Sequence, residues 1–143
     1  MLGGWRYISG TPEQNGPPFR MLAESGIPMG MSSDGMQISP LNPWIGLYYV
    51  VTGRNARGQL INAGQTLDRE QAIALYTAAN GWFLHEEDEL GTLEPGKFAD
   101  VVVLNNDYFD ADAVSDEDIR HIRPVLTLVG GQVVYGDPET LSR

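Results

Sequence analysis

The spacing of apolar residues along the chain changes character several times. Phe19, Met21, Leu22 and Ala23 fall in a short stretch that opens on Pro17-Pro18 and closes on Gly26. Proline in a first turn and glycine as a left-handed stop predict a short helix between Pro17 and Ser25. Ile27-Pro28-Met29-Gly30-Met31 is an apolar run bounded by turn residues. It predicts a buried strand, with Pro28 near its start, where a missing ladder bond is tolerated. A helix ending in glycine and leading into a buried strand is half of a βαβ repeat. The strand runs into the polar cluster Ser32-Ser33-Asp34-Gly35.

Asn42-Pro43 predicts the next helix, with Asn42 as N-cap and Pro43 in the first helical position. Trp44, Leu47, Tyr48 and Val51 lie at i, i+3, i+4 and i+7, and Ile45, Tyr49 and Val50 widen the stripe. Arg54, Arg57 and Gly58 suit its C-terminus. Asp68 and Gln71 have the spacing of a capping box. The helix they open carries Ala72, Leu75, Tyr76, Ala79 and Phe83 on one face, with an interruption expected at Asn80-Gly81.

From Gly91 the pattern becomes one of strands. Leu93-Glu94-Pro95-Gly96 predicts a turn, and Ala99 to Leu104 a strand ended by Asn105-Asn106-Asp107. An acidic connector and a short helical turn around Ile119 follow. Val125–Val129 and Gln132–Tyr135 flank Gly130-Gly131, which is a hairpin signal. Residues 1–84 therefore read as a piece of an α/β layer structure, 91–136 as a β unit of about three strands, and 137–143 as a tail. Neither piece is complete, since three strands barely make an independently stable sheet.

Composition narrows the function classes. Of the 143 residues, 42% are apolar and 20% charged, enough for a packed core. Nine basic against nineteen acidic residues give a net charge of −10. Nucleic acid and anionic membrane surfaces would repel such a chain, so neither is an expected partner. No run approaches the roughly 20 apolar residues that span a bilayer, and the start has no signal-like layout. A soluble, cytoplasmic chain is the expectation. There is no cysteine, which excludes disulfides, thiolate nucleophiles and Cys-ligated metals. With two histidines, His85 and His121, a three-histidine metal site within one chain is excluded as well.

Asp34 is the sharpest chemical candidate. Past the C-terminal end of a strand of parallel type, a carboxylate stands where barrel and open-sheet enzymes place catalytic groups. There it can bind a metal or take a proton. The alternative is a turn residue capping its own loop. His85 follows Trp82-Phe83-Leu84 and precedes four acids; it reads either as a ligand or base, or as a helix C-terminal histidine. His121 lies in a solvated turn. Asn105–Asp118 holds five aspartates and one glutamate, but Val114 and Ser115 break the calcium-loop pattern that Asp110 and Asp112 begin, so it reads as a solvated acidic loop. Gly91-x4-Gly96-Lys97 fails as a phosphate loop, because Phe98 and a strand follow Lys97.

Gly91-Thr92-Leu93-Glu94-Pro95-Gly96-Lys97-Phe98-Ala99-Asp100 followed by Val101–Leu104 resembles a segment of the metal-dependent amidohydrolases. Thr127–Tyr135 resembles that family's terminal hairpin. Gly26–Asp34 resembles its eighth barrel strand and the aspartate after it. Asn42–Arg54 and Leu67–Ile73 are similar to the branch called amidohydrolase family 3. The resemblance covers nearly the whole chain, in order.

The resemblance implies an α/β fragment: the last strand and helices of a (β/α)8 barrel, plus the C-terminal strands of its small β-sandwich. It implies a parent that hydrolyses C–N bonds in small molecules with a divalent metal, zinc being expected. Asp34 alone falls on a catalytic position, implied to contact the metal or its water and to shuttle a proton to the leaving nitrogen. The family's first-strand His-x-His, its bridging residue and its later histidines have no counterpart here, and the lone lysine, Lys97, lies in the β segment. An isolated carboxylate does not hold a catalytic zinc. The chain alone is therefore expected to bind no metal and to be inactive. A full barrel takes about 250 residues, which marks this chain as the C-terminal part of something larger or a truncated reading frame. The expected partner is the remainder of the barrel, or a homo-oligomer covering apolar surface left exposed, notably on the helix from Pro43. The alternative is a non-catalytic interaction module that retains only the β unit.

Overall fold

A computed structural model describes residues 16–36 and 40–139. The punctuation at Gly3-Gly4 and Gly10-Thr11-Pro12 and the last four tail positions lie outside them. Helix α1, Phe19–Glu24, starts after Pro18, and Gly26 leaves it in the left-handed region at φ 72°. The helix is tied to a later loop by two Arg20 bonds, from Nε and Nη2, to the Thr66 carbonyl, each 3.2 Å. Phe19 is buried, edge-on to the Tyr49 ring at 5.7 Å.

Helix α2, Pro43–Thr52, begins as its sequence predicts: the Trp44 amide donates to Asn42 Oδ1 at 3.0 Å and Pro43 sits in the first turn. It ends earlier than the Arg54–Gly58 signal. The Thr52 hydroxyl donates back to the Tyr48 carbonyl at 2.6 Å and Gly53 turns left-handed at φ 70°. The following residues form a tight turn instead, in which Asn55 Oδ1 accepts from the amides of Arg57 and Gln59. Contrary to expectation, α2 is not left uncovered. Trp44, Leu47, Tyr48 and Val50 are all buried. Their cover comes largely from the connector before the hairpin, which was read as a solvated loop. Its Tyr108, Val114, Ile119 and Ile122 complete the core with Phe19, Leu67 and Ala72, while its acids stay exposed.

Helix α3, Arg69–Tyr76, carries the full capping box: Gln71 N donates to Asp68 Oδ1 at 2.7 Å, and Asp68 N to Gln71 Oε1 at 3.3 Å. Such a cap stabilises by about 1 kcal/mol. The break lies at Thr77 (φ −124°, ψ −94°) rather than at Asn80-Gly81, which sit inside α4, Ala78–Leu84. The Thr77 hydroxyl bonds the Ile73 carbonyl at 3.0 Å, so the chain turns there. Gly81 is needed for packing: a Cβ would stand 3.0 Å from the Leu90 carbonyl oxygen.

The β unit is a three-stranded antiparallel sheet in the order β1 (Val101–Leu104), β2 (Pro124–Val129), β3 (Gln132–Gly136). Before β2 comes a 3-10 helix, Asp116–His121, with Ile119 buried. Gly130 and Gly131, both at positive φ, make the tight hairpin turn. Leu126 is buried, whereas every residue of β3 is exposed.

No strand forms over 27–31. This segment is irregular and lies against the corner between α3 and α4. A parallel strand needs neighbours to pair with, and the three strands among the described residues all belong to the other sheet.

Candidate functional site

Asp34 ends the 27–34 segment on the surface, with its backbone left-handed at φ 48°. Its amide donates to Ser32 Oγ at 3.4 Å. Upstream the segment is anchored at Met31. The Met31 amide donates to the Leu75 carbonyl at 2.8 Å, and its own carbonyl accepts from Asn80 Nδ2 at 3.1 Å. Gly30 lies flat on α4, because a Cβ there would overlap Asn80 Oδ1 and stand 3.0 Å from the Phe83 ring. Sequence reasoning read Asn80 as a helix interruption and missed this contact.

The other candidates lie elsewhere. His85 is the C-cap of α4, exposed and left-handed at φ 58°, where it ends the helix. His121 is exposed at the end of the 3-10 helix. Asp110 Oδ1 accepts from the amides of Asp112 and Ala113, so this carboxylate caps its own loop. Lys97 bonds the Glu87 carbonyl at 2.7 Å and pairs with Glu94 at 3.1 Å. Thr92 and then Lys97 hold the Glu94 carboxyl below its usual range. That turn leads into β1, with no helix N-terminus to cradle a phosphate.

A second polar group ties the acidic connector to α2. The Tyr48 hydroxyl donates to the Glu117 carboxylate at 3.0 Å, and Arg120 lies over the Tyr48 ring at 5.1 Å while pairing with Glu117 at 3.3 Å. Burial, then the Glu117 carboxylate, pushes the Tyr48 phenol up. These groups hold one another and offer little free chemistry.

Among the described residues, no three His, Cys, Asp or Glu side chains are grouped to hold a metal ion. Asp34 alone does not fit a zinc centre, which takes three protein ligands. Among the described residues, too, no helix is long and apolar enough to cross a membrane.

The model of the amidohydrolase family matches residues 4–135. The chain belongs to the amidohydrolase family. Solved structures similar to it include the following two. One is an amidohydrolase from Thermotoga maritima, 20% identical, with a TM-score of 0.58. The other is described as a putative prolidase from Bifidobacterium longum, 27% identical, with a TM-score of 0.59. Each likeness covers 81% of this chain and 25% of the other, so this amidohydrolase chain spans about a quarter of their length. No curated protein matches it. The expected family is thereby established, and the described part is a small α/β fragment with a three-stranded sheet.

Proposed function

We propose that this chain is the C-terminal portion of a metal-dependent amidohydrolase that cleaves a C–N bond in a small molecule in the cytoplasm. The observation that carries the reading is the family match over residues 4–135, in a chain spanning a quarter of its structural neighbours. In this reading residues 1–84 are the end of the barrel and 91–136 the C-terminal share of the β-sandwich. Segment 27–31 becomes the last barrel strand once its neighbours are present, with Met31 at its end, past the ladder, keeping its bonds to Leu75 and Asn80. Asp34, just beyond it, takes a proton from the attacking water and returns it to the leaving nitrogen. The ligands of a divalent metal, zinc in most such sites, come from the remainder of the parent. The chain by itself is inactive.

Two apolar surfaces support a missing partner. Trp82, Phe83 and Leu84 on α4 are 47%, 48% and 61% exposed, and Val133, Val134 and Tyr135 on β3 are 45%, 61% and 56% exposed. Surfaces of this kind are covered in stable proteins. The cover here is the remainder of the barrel, and in its absence a second copy.

The test mixes the purified chain with an amidohydrolase of known substrate truncated before the corresponding C-terminal quarter. Association and recovery of hydrolysis, abolished by Asp34→Ala, support the proposal. Hydrolysis that survives Asp34→Ala removes the assignment of Asp34. A chain that does not associate is instead an independent module.

A further inference from the structure

We infer that Asn80 is a positioning residue for Asp34, acting by clamping the backbone from which the carboxylate emerges. The inference rests on the proposed role of Asp34. Both backbone hydrogen-bonding groups of Met31 are held by the α3–α4 corner: its amide by the Leu75 carbonyl at 2.8 Å, its carbonyl by Asn80 Nδ2 at 3.1 Å. The two anchors come from opposite sides of the Thr77 break. Leu75 offers a carbonyl from the last turn of α3, where carbonyls lack intrahelical partners. Asn80 stands on the first turn of α4, with its own amide donating to Thr77 O at 3.0 Å. A continuous helix would use the Leu75 carbonyl internally, so the break creates the clamp.

Gly30 permits it. Any Cβ at that position would overlap Asn80 Oδ1 and press on the Phe83 ring. Asn80 is half-buried. Asp34 follows Met31 by three residues, a stretch of at most about 10 Å. An anchor at Met31 therefore limits where the carboxylate can stand, and a displacement of about 1 Å at a reacting group can cost a hundredfold in rate.

The first readout is amide hydrogen exchange on the 143-residue chain. Asn80→Ala is expected to raise exchange at Met31 about tenfold, while Val50 in α2 and Leu128 in β2 keep their protection. Asn80→Asp supplies a second signature. A carboxylate cannot donate to the Met31 carbonyl, but a protonated carboxyl can. The excess exchange of Asn80→Asp, corrected for intrinsic rate, should therefore disappear as pH falls through the carboxylate range at about 4, and that of Asn80→Ala should not. Unchanged exchange at Met31 overturns the clamp. So does equal loss at Val50 and Leu128, which marks Asn80 as a general packing residue. If Asn80→Ala does not fold, the low-pH rescue of Asn80→Asp decides.

The second readout is the reconstituted enzyme. Asn80→Ala should lower kcat by about tenfold to a hundredfold with KM little changed. A change in KM alone overturns the positioning role. Exchange is read without catalysis, so a failed clamp leaves Asp34 standing. An insensitive Asp34→Ala variant leaves the clamp but removes what it positions.

Discussion

Arg69 Nη2 donates to Asp116 Oδ1 at 2.7 Å, and the same guanidinium reaches two backbone carbonyls, Tyr108 at 2.7 Å and Val114 at 2.6 Å. The Tyr108 hydroxyl returns the contact to the Arg69 carbonyl at 3.1 Å. A single side chain thus pins the first turn of α3 to the connector that roofs α2. Its own exposure is 10%, against 57% for Asp116. Arg69→Ala removes the donors and strands two carbonyls, and should destabilise by about 3 kcal/mol. Asp116→Asn leaves the carbonyl contacts in place and should cost under about 1 kcal/mol. Urea unfolding of the two variants checks the difference, and equal losses would place the energy in the ion pair instead.

The two neighbouring phenols of α2 should respond in opposite senses. The Tyr49 hydroxyl is buried and, among the described residues, has no hydrogen-bond partner. Removing it by Tyr49→Phe should stabilise by about 1 kcal/mol, because an unsatisfied buried group is deleted. The Tyr48 hydroxyl donates to Glu117, so Tyr48→Phe should destabilise by about 1 kcal/mol. Thermal unfolding monitored by circular dichroism reads both signs.

Alkali should unfold the chain through its tyrosines. Burial pushes the phenols of Tyr49 and Tyr108 up to about 12, and raises those of Tyr76 and Tyr48. Below about pH 10 these phenols are neutral in both folded and unfolded chains, so their contribution is complete. Above it the unfolded chain ionises first, and stability declines until pH passes the folded values of about 12. The urea midpoint should hold steady to about pH 9 and then fall, with phenolate absorbance rising together with unfolding. Ionisation of Tyr49 or Tyr108 near pH 10 in the folded chain would contradict this.

Self-association of the isolated chain should run through the exposed strand. Val134→Lys puts a charge on β3, the usual way in which natural edge strands resist pairing. The weight-average mass in sedimentation equilibrium should fall toward 15.7 kDa in this variant. Unchanged mass would point to the Trp82–Leu84 surface instead.

What could be read from the sequence was local. The Asn42-Pro43 start, the Asp68/Gln71 box and the Gly130-Gly131 hairpin depend on residues within four positions of one another, and all three form. Helix ends were less legible, since hydroxyl back-bonds at Thr52 and Thr77 outweighed the basic and glycine signals further on. The connector misled because five aspartates dominate its composition while Tyr108, Val114, Ile119 and Ile122 follow no single period. The strand at 27–31 depends on pairing partners, which no local pattern supplies. Asp34 is proposed from its place after that apolar run. The contact of Asn80 with Met31 was not legible, because the two lie 49 residues apart in sequence.

The shared core has a consequence for synthesis. Phe19, the α2 residues, Leu67 and Ala72 emerge from the ribosome well before Tyr108, Val114, Ile119 and Ile122, which close over them. At about 5–20 residues per second, the helices wait some seconds with their apolar faces open. Chaperone engagement should therefore peak after α4 has emerged and decline once Ile122 clears the exit tunnel.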